Sequence, residues 1–298
     1  MGGISGSTTS STARRRRART ATLLTRQVKY LASRLVPEKV LTQLVKPYYA
    51  RLVQSFAEKE LDIVKVLVAP GDYVIDVGAN IGWYTRPLAH LVRDSGRVYS
   101  IEPVPRSFDI LRFCTKKLRL QNVTLLNCAI SDRAGAALME IPTSEWDRGR
   151  ERERGWGNYY NARLVEDQVA ARAPRTLDVR LTSLDAMFLD LPKAVTFIKC
   201  DVEGHELWVL RGARRLISRA RPAWLLEAAN PDDPASRSWQ VFKYLEELGY
   251  APYWYDGARL IRRSPGDRSQ DYFFLTPQHL ALIPGGGMPI QQTTSSAR

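Results

Sequence analysis

From Pro70 onward, short β-rich runs alternate with stretches of helical periodicity, and no other feature narrows the fold as far. Tyr73–Val77 reads as a strand with a helix over about 81–93, and Arg97–Ile101 as a second strand with a helix over about 106–118. Residues 123–130 read as a third strand. Val195–Cys200 and Ala223–Glu227 read as two more, followed by helices over 205–218 and 238–248. Strands joined through helices run parallel with right-handed connections, so the pattern predicts an open, mostly parallel α/β sheet with helices on both faces. Runs at 253–261 and 272–275 would add an antiparallel edge.

The alternation breaks between Ala136 and Leu184. Strand-like pieces at 137–141 and 177–181 bracket a charged, aromatic segment, so residues 142–176 are expected to form a cap inserted in the α/β plan. Ahead of the sheet, apolar residues recur at helical spacing, which predicts an N-terminal helical extension over 21–69 before an α/β domain over 70–277. Residues 1–20 and 278–298 lack such periodicity and are expected to be disordered tails.

Charge sharpens this division. Ten of the 44 Lys and Arg, but only one of the 31 acids, lie in residues 1–50, so +9 of the net +13 sits there and the body is close to neutral. Nucleic acid is therefore expected as a partner only through the run Arg14-Arg15-Arg16-Arg17-Ala18-Arg19, whose alternatives are an anionic surface contact, a transit segment and a solvated tail. No apolar run is long enough for a transmembrane helix, and three scattered cysteines supply neither a disulfide framework nor a four-cysteine zinc site. The expected location is cytoplasmic, or an organelle if the arginine run is a transit segment. Oligomeric state is not legible.

Val74-Ile75-Asp76-Val77-Gly78-Ala79-Asn80-Ile81-Gly82 is an apolar strand ending in an acid, then a glycine turn entering a helix. Gly78 permits tight or left-handed geometry and close approach of backbone to a ligand, and Gly82 permits close packing of the helix start. Asp76 would repel the diphosphate of a dinucleotide. It suits instead the ammonium of a ligand such as S-adenosylmethionine, whose carboxylate the turn amides of the Gly78–Asn80–Gly82 stretch would take. Glu102 ends the next strand, twenty residues beyond Gly82, where a carboxylate accepts hydrogen bonds from both ribose hydroxyls. Ser131 and Asp132, beyond the third strand, are placed where an adenine would lie, or are an ordinary turn with a cap.

Phe197-Ile198-Lys199-Cys200-Asp201-Val202-Glu203-Gly204-His205-Glu206 is a second apolar strand that empties into acids and a glycine. Ligands of open α/β sheets lie beyond the carboxyl ends of the strands, which brings Asp201 to the crevice of Asp76 and Glu102. Taken with Val209-Leu210-Arg211-Gly212-Ala213 and Leu225-Leu226-Glu227, these segments resemble the FkbM family of S-adenosylmethionine-dependent methyltransferases over about residues 70–275. The resemblance implies a Rossmann-like class I fold with a seven-stranded sheet, and O-methylation of a sugar, glycan or polyketide-type natural product. Ala228-Ala229-Asn230 departs from the family, which often shows a histidine nearby.

A sulfonium methyl is already activated, so such an enzyme orients donor and acceptor and removes the hydroxyl proton. Asp201 is the first candidate for that base and His205 the second; Lys199 is expected to pair with a nearby acid. Trp156, Asn158 and Tyr159 of the insertion, with Glu203 and Glu227, are candidates for acceptor binding. Asp201, Glu227 and Asn230 could offer hard oxygens to Mg²⁺, but separate caps and ion pairs are preferred, so no metal ligand is assigned. The rival readings are a nicotinamide-dependent oxidoreductase, disfavoured by Asp76 and Asn80, and a nucleic-acid or anionic-surface binding protein on a degenerate methyltransferase scaffold.

Overall fold

The computed structural model describes residues 38–141, 162–164, 176–228 and 231–283. Helices α1 (Glu38–Ser55) and α2 (Leu61–Leu67) form the extension. Then follow β1 (Tyr73–Val77), α3 (Thr85–Val92), β2 (Arg97–Ile101), α4 (Pro105–Lys117) and β3 (Val123–Leu126). After an excursion, the sheet resumes with α5 (Leu184–Phe188), β8 (Val195–Cys200), α6 (Glu206–Arg211), α7 (Arg214–Ala220), β9 (Ala223–Glu227) and α8 (Arg237–Glu247). A hairpin of β10 (Ala251–Tyr255) and β11 (Leu260–Arg262), then β12 (Asp271–Leu275) and α9 (Pro277–Leu280), complete it.

The strand order is β11-β10-β12-β9-β8-β1-β2-β3, with β3, β2, β1, β8 and β9 parallel and the remaining pairings antiparallel. The run from β9 to β3 reverses direction of winding between β1 and β8, and a crevice opens at that switch point. Alternate side chains of the central strands feed two cores. Ile198, Trp224 and Phe274 enter one, packed by α6, α7 and α8; Phe197, Leu225 and Phe273 enter the other, packed by α2 and α3. Burial on both faces is why these strands read as continuous apolar runs. Among the described residues no helix is long and apolar enough to cross a membrane.

Several expectations change in detail. The sheet has eight strands instead of seven, because the run at 253–261 folds into a hairpin around Asp256, whose Oδ1 accepts from the Ala258 and Arg259 amides, with Gly257 left-handed at φ 105°. The third run divides after Leu126, where Asn127 Nδ2 donates to the Glu102 and Pro103 carbonyls at 2.8 and 3.1 Å. Its end becomes β4 (Ala129–Ile130) in a separate four-stranded sheet, ordered β4-β7-β5-β6, with β5 (Gly135–Glu140), β6 (Arg163–Leu164) and β7 (Thr176–Thr182). The strand-like pieces flanking the insertion are thus paired with each other, β5 antiparallel to β7.

The helix expected over 81–93 starts at Thr85, since Asn80 and Gly82 are left-handed at φ 51° and 106°. The helix expected over 205–218 is two helices parted at Gly212, where a Cβ would collide with the Ser131 carbonyl oxygen. Residues 278–283, expected to belong to a tail, are instead part of the fold: α9 carries a capping box at Thr276, and Ile283 is buried against the core, while residues 284–298 lie outside the described residues. Residues 1–20 and most of 142–176 lie outside the described residues.

Candidate active site

The carboxyl ends of β1, β2 and β8 surround a cleft lined among others by Gly78, Asn80, Glu102, Asp201, Glu203 and His205. Two motifs far apart in sequence meet there. Gly78, at φ 76°, passes so close to Asp201 that a Cβ would strike its carbonyl oxygen, while the Asp201 amide donates to the Val77 carbonyl at 3.1 Å. The first glycine is therefore demanded by backbone packing between β1 and β8 as well as by its dihedral. Gly82 faces Leu111 of α4 and serves helix packing away from the cleft.

Glu102 straps the first two strand ends together. Its Oε2 accepts from the Asn80 amide at 2.9 Å and its Oε1 from the Val104 amide at 2.8 Å. Burial pushes its pKa up to about 7 against the opposing pull of those two amides. Each oxygen keeps a lone pair for a ligand hydroxyl. Beside it, Asn80 Oδ1 is buried with no hydrogen-bond partner among the described residues, and Asn80 itself lines the cleft.

Asp76 is placed differently. It is 1% exposed beneath the turn and absent from the cleft wall. Its Oδ2 accepts from the Thr85 hydroxyl at 2.7 Å, and Thr85 Oγ1 lies 2.9 Å from Ser100 Oγ. Burial raises its pKa, opposed by the charge of Lys199, its register neighbour on β8.

Lys199 is the cation of the site. Its Nζ lies 2.8 Å from Asp201 Oδ2 and 5.3 Å from the Tyr84 ring centroid. Desolvation would lower its pKa, yet Asp201 and Asp76 together hold it above the ordinary lysine value. For Asp201, burial raises the pKa, but Lys199 and a hydrogen bond with Glu227 outweigh it and the net shift is downward. Glu227, at the end of β9, is pushed up to about 8 by burial, by that bond to Asp201 and by the charges of Asp201, Glu203 and Asp271. The two carboxylates are pushed in opposite directions: the Lys199 ammonium favours the charged form of Asp201, while burial and the bond to Asp201 favour the protonated form of Glu227.

One oxygen each of Asp201, Glu203 and Glu227 lies within 4.8 Å of the others, close enough to share a divalent cation as well as a proton. Asn230, the further ligand considered, lies outside the described residues. The loop carrying Glu203, left-handed at φ 54°, is stapled by Glu206, whose Oε1 accepts from the Val202 and Gly204 amides at 3.1 and 3.2 Å.

His205 closes the opposite wall. Its ring stacks on Trp208, centroids 4.8 Å apart and 7° from parallel, and its Nε2 lies 3.0 Å from Ser131 Oγ. Ser131 Oγ also lies 3.2 Å from Asp132 Oδ1, so Ser131 and Asp132 support His205 from behind and line no part of the cleft. Burial, with Arg237 nearby, lowers the His205 pKa to about 4, so the ring is neutral at pH 7. Met139, Ala162 and Leu164 add a wall from the second sheet; the run at 137–141 reads as strand-like in the sequence but is not placed at the cleft by it, and β6, with two residues, carries no period. The role of Lys199 was also missed beyond a generic pairing; its i, i+2 spacing from Asp201 at a strand end was the available signal. Trp156, Asn158 and Tyr159 lie outside the described residues.

A family model for the methyltransferase FkbM domain matches residues 76–252. The 31-O-demethyl-FK506 methyltransferase FkbM of Streptomyces tacrolimicus is 32% identical over 162 residues, 49% of this chain and 61% of that protein. The chain thus matches about three fifths of that relative's length. Among solved structures, FkbM methyltransferase from Methylobacillus flagellatus aligns with a TM-score of 0.43 at 18% identity, over 78% of this chain and 59% of that one. An S-adenosylmethionine-dependent O-methyltransferase from Thermotoga maritima aligns with a TM-score of 0.38 at 15% identity, over 72% and 62%. With the family model spanning more than half of its length and its strand ends carrying the motifs described, the chain belongs to the FkbM family of S-adenosylmethionine-dependent methyltransferases.

Proposed function

We propose that this protein binds S-adenosylmethionine in the cleft at β1, β2 and β8 and methylates a hydroxyl oxygen of a sugar, glycan or similar natural product. The observation that carries the donor site is Glu102, a buried carboxylate at the end of the second strand that lines the cleft, accepts from the Asn80 and Val104 amides and stands beside the unpartnered Asn80 Oδ1. Glu102 would hold the two ribose hydroxyls. Asn80 Oδ1, an acceptor without a donor, suits an ammonium, as the methionine end of the donor offers. The donor supplies a methyl group on sulfonium sulfur, already activated for transfer.

The chain's own task is then orientation and proton removal. Asp201, kept ionised by Lys199, accepts the hydrogen bond of the acceptor hydroxyl and takes its proton as the new C–O bond forms. Glu227 and Glu203 bind neighbouring acceptor hydroxyls. Support for an oxygen acceptor comes from the O-demethyl substrate in the name of the Streptomyces relative. Neutral His205 is the alternative base, although its Nε2 is engaged with Ser131 Oγ at 3.0 Å.

Isothermal calorimetry with S-adenosylmethionine, set against NAD and an RNA oligonucleotide, tests the donor. Binding of S-adenosylmethionine alone is expected, and heat with NAD alone would overturn the reading. Transfer of labelled methyl to a panel of hydroxylated acceptors, with and without chelator, then tests the chemistry. Loss of turnover with EDTA and rescue by Mg²⁺ would replace the proton pair by a cation bridging the three carboxylates.

A further inference from the structure

The outer face of α1 carries an apolar stripe that the described fold leaves uncovered. Val40, Leu44 and Tyr48 recur every four residues and are 47%, 69% and 59% exposed; of the large exposed hydrophobics among the described residues, only Leu282 lies elsewhere. The helix does not need this face to dock, since Ala50 and Val53 on the other side pack with Ile110 and Cys114 of α4. Nor does the cleft need it, for the stripe precedes the matched family region. Immediately upstream, residues 1–37 hold eight Lys or Arg and no acid.

A lipid surface complements both features, with anionic headgroups for the bases and an acyl boundary for Val, Leu and Tyr; a nucleic acid complements only the first. We propose that the outer face of α1, with the basic segment before it, seats the protein on an anionic membrane surface. Either feature alone gives weak, reversible attachment, and stable peripheral binding takes two such signals. Tyr48, with its amphipathic ring, belongs at the headgroup level.

The test is co-sedimentation of the full chain with phosphatidylcholine vesicles, with and without phosphatidylglycerol. The full chain is expected to pellet with the anionic vesicles at low salt and to be released as salt rises. Val40→Ser/Leu44→Ser/Tyr48→Ser should partition roughly tenfold less, with an unchanged melting temperature and unchanged donor binding. Should that variant fail to fold, Tyr48→Trp gives a second readout: relative to wild type, its added emission should shift to the blue on anionic vesicles and be quenched by brominated lipid. Unaltered pelleting of a folded triple variant would overturn the proposal in favour of a polyanion contact through the arginines alone. So would an unshifted emission from the Tyr48→Trp variant or the absence of pelleting. A dimer in vesicle-free sedimentation equilibrium that the triple variant converts to monomer would assign the stripe to a second copy.

Discussion

Glu102 accepts two backbone amides and still faces the cleft, so its removal should cost donor affinity and turn stability together. Glu102→Ala is expected to weaken S-adenosylmethionine binding by about 1.5–3 kcal/mol, the range for hydrogen bonds to a charged group, read by calorimetry. Unchanged affinity in a folded variant would remove Glu102 from the donor site. Glu227 makes a different kind of prediction. Its folded pKa, about 8, lies above the ordinary glutamate value, chiefly through burial, so the folded chain binds the proton more tightly than the unfolded chain does. That contribution is fully present below the unfolded value and is lost as pH rises through about 8. Wild type should therefore lose melting temperature between pH 6 and 9 relative to Glu227→Gln, whose amide does not titrate. Parallel melting curves across that window would show that Glu227 carries no shared proton. Lys199 explains why Asp201 stays charged in the same surroundings, and the separation of the two carboxylates rests on which of them touches the ammonium.

The loop between β8 and α6 is an element held by one side chain. Glu206 takes the Val202 and Gly204 amides, and Glu203 between them sits in the left-handed region that non-glycine residues seldom occupy. Glu206→Ala would leave two amides unmatched at a cost of about 1–3 kcal/mol and would loosen Asp201 and Glu203. Chemical denaturation and turnover should both fall, and Glu206→Gln, which keeps an acceptor oxygen, should recover most of the stability. If Glu206→Ala is as stable as wild type, the staple does not hold the loop. The Lys-x-Asp-x-Glu-Gly-x-Glu spacing made the motif visible from sequence, yet not the division of labour inside it. Lys199 and Asp201 emerge two residues apart at a strand end and form a pair, while the last glutamate turns back on the backbone. Similarly, β6 escaped notice because a two-residue strand has no periodicity, and Ala129–Ile130 reads as the end of the third strand; the wall they give the cleft comes only from pairing with β5 and β7.

At the scale of the whole molecule, charge and fold separate. The body is near neutral and the bases concentrate ahead of α1, so deleting residues 1–20 should leave the melting temperature and donor affinity unchanged. A truncated chain that fails to fold or to bind S-adenosylmethionine would show that the segment belongs to the domain. Sequence alone determined the parallel α/β plan, because strands buried on both faces must be apolar throughout and the glycines and acids at their ends have few other uses. It also determined Glu102 and Asp201 as candidates, since each ends a strand and strand ends of such sheets converge. Tertiary structure decided what adjacency alone can decide. Gly78 is pressed against Asp201 across β1 and β8; Gly212, between α6 and α7, is pressed against the Ser131 carbonyl, which leaves no room for a side chain; Asp76 is buried under the turn it was expected to serve from the cleft. Which of two carboxylates keeps the proton depends on burial and on a lysine's distance, quantities set by packing that no spacing along the chain encodes.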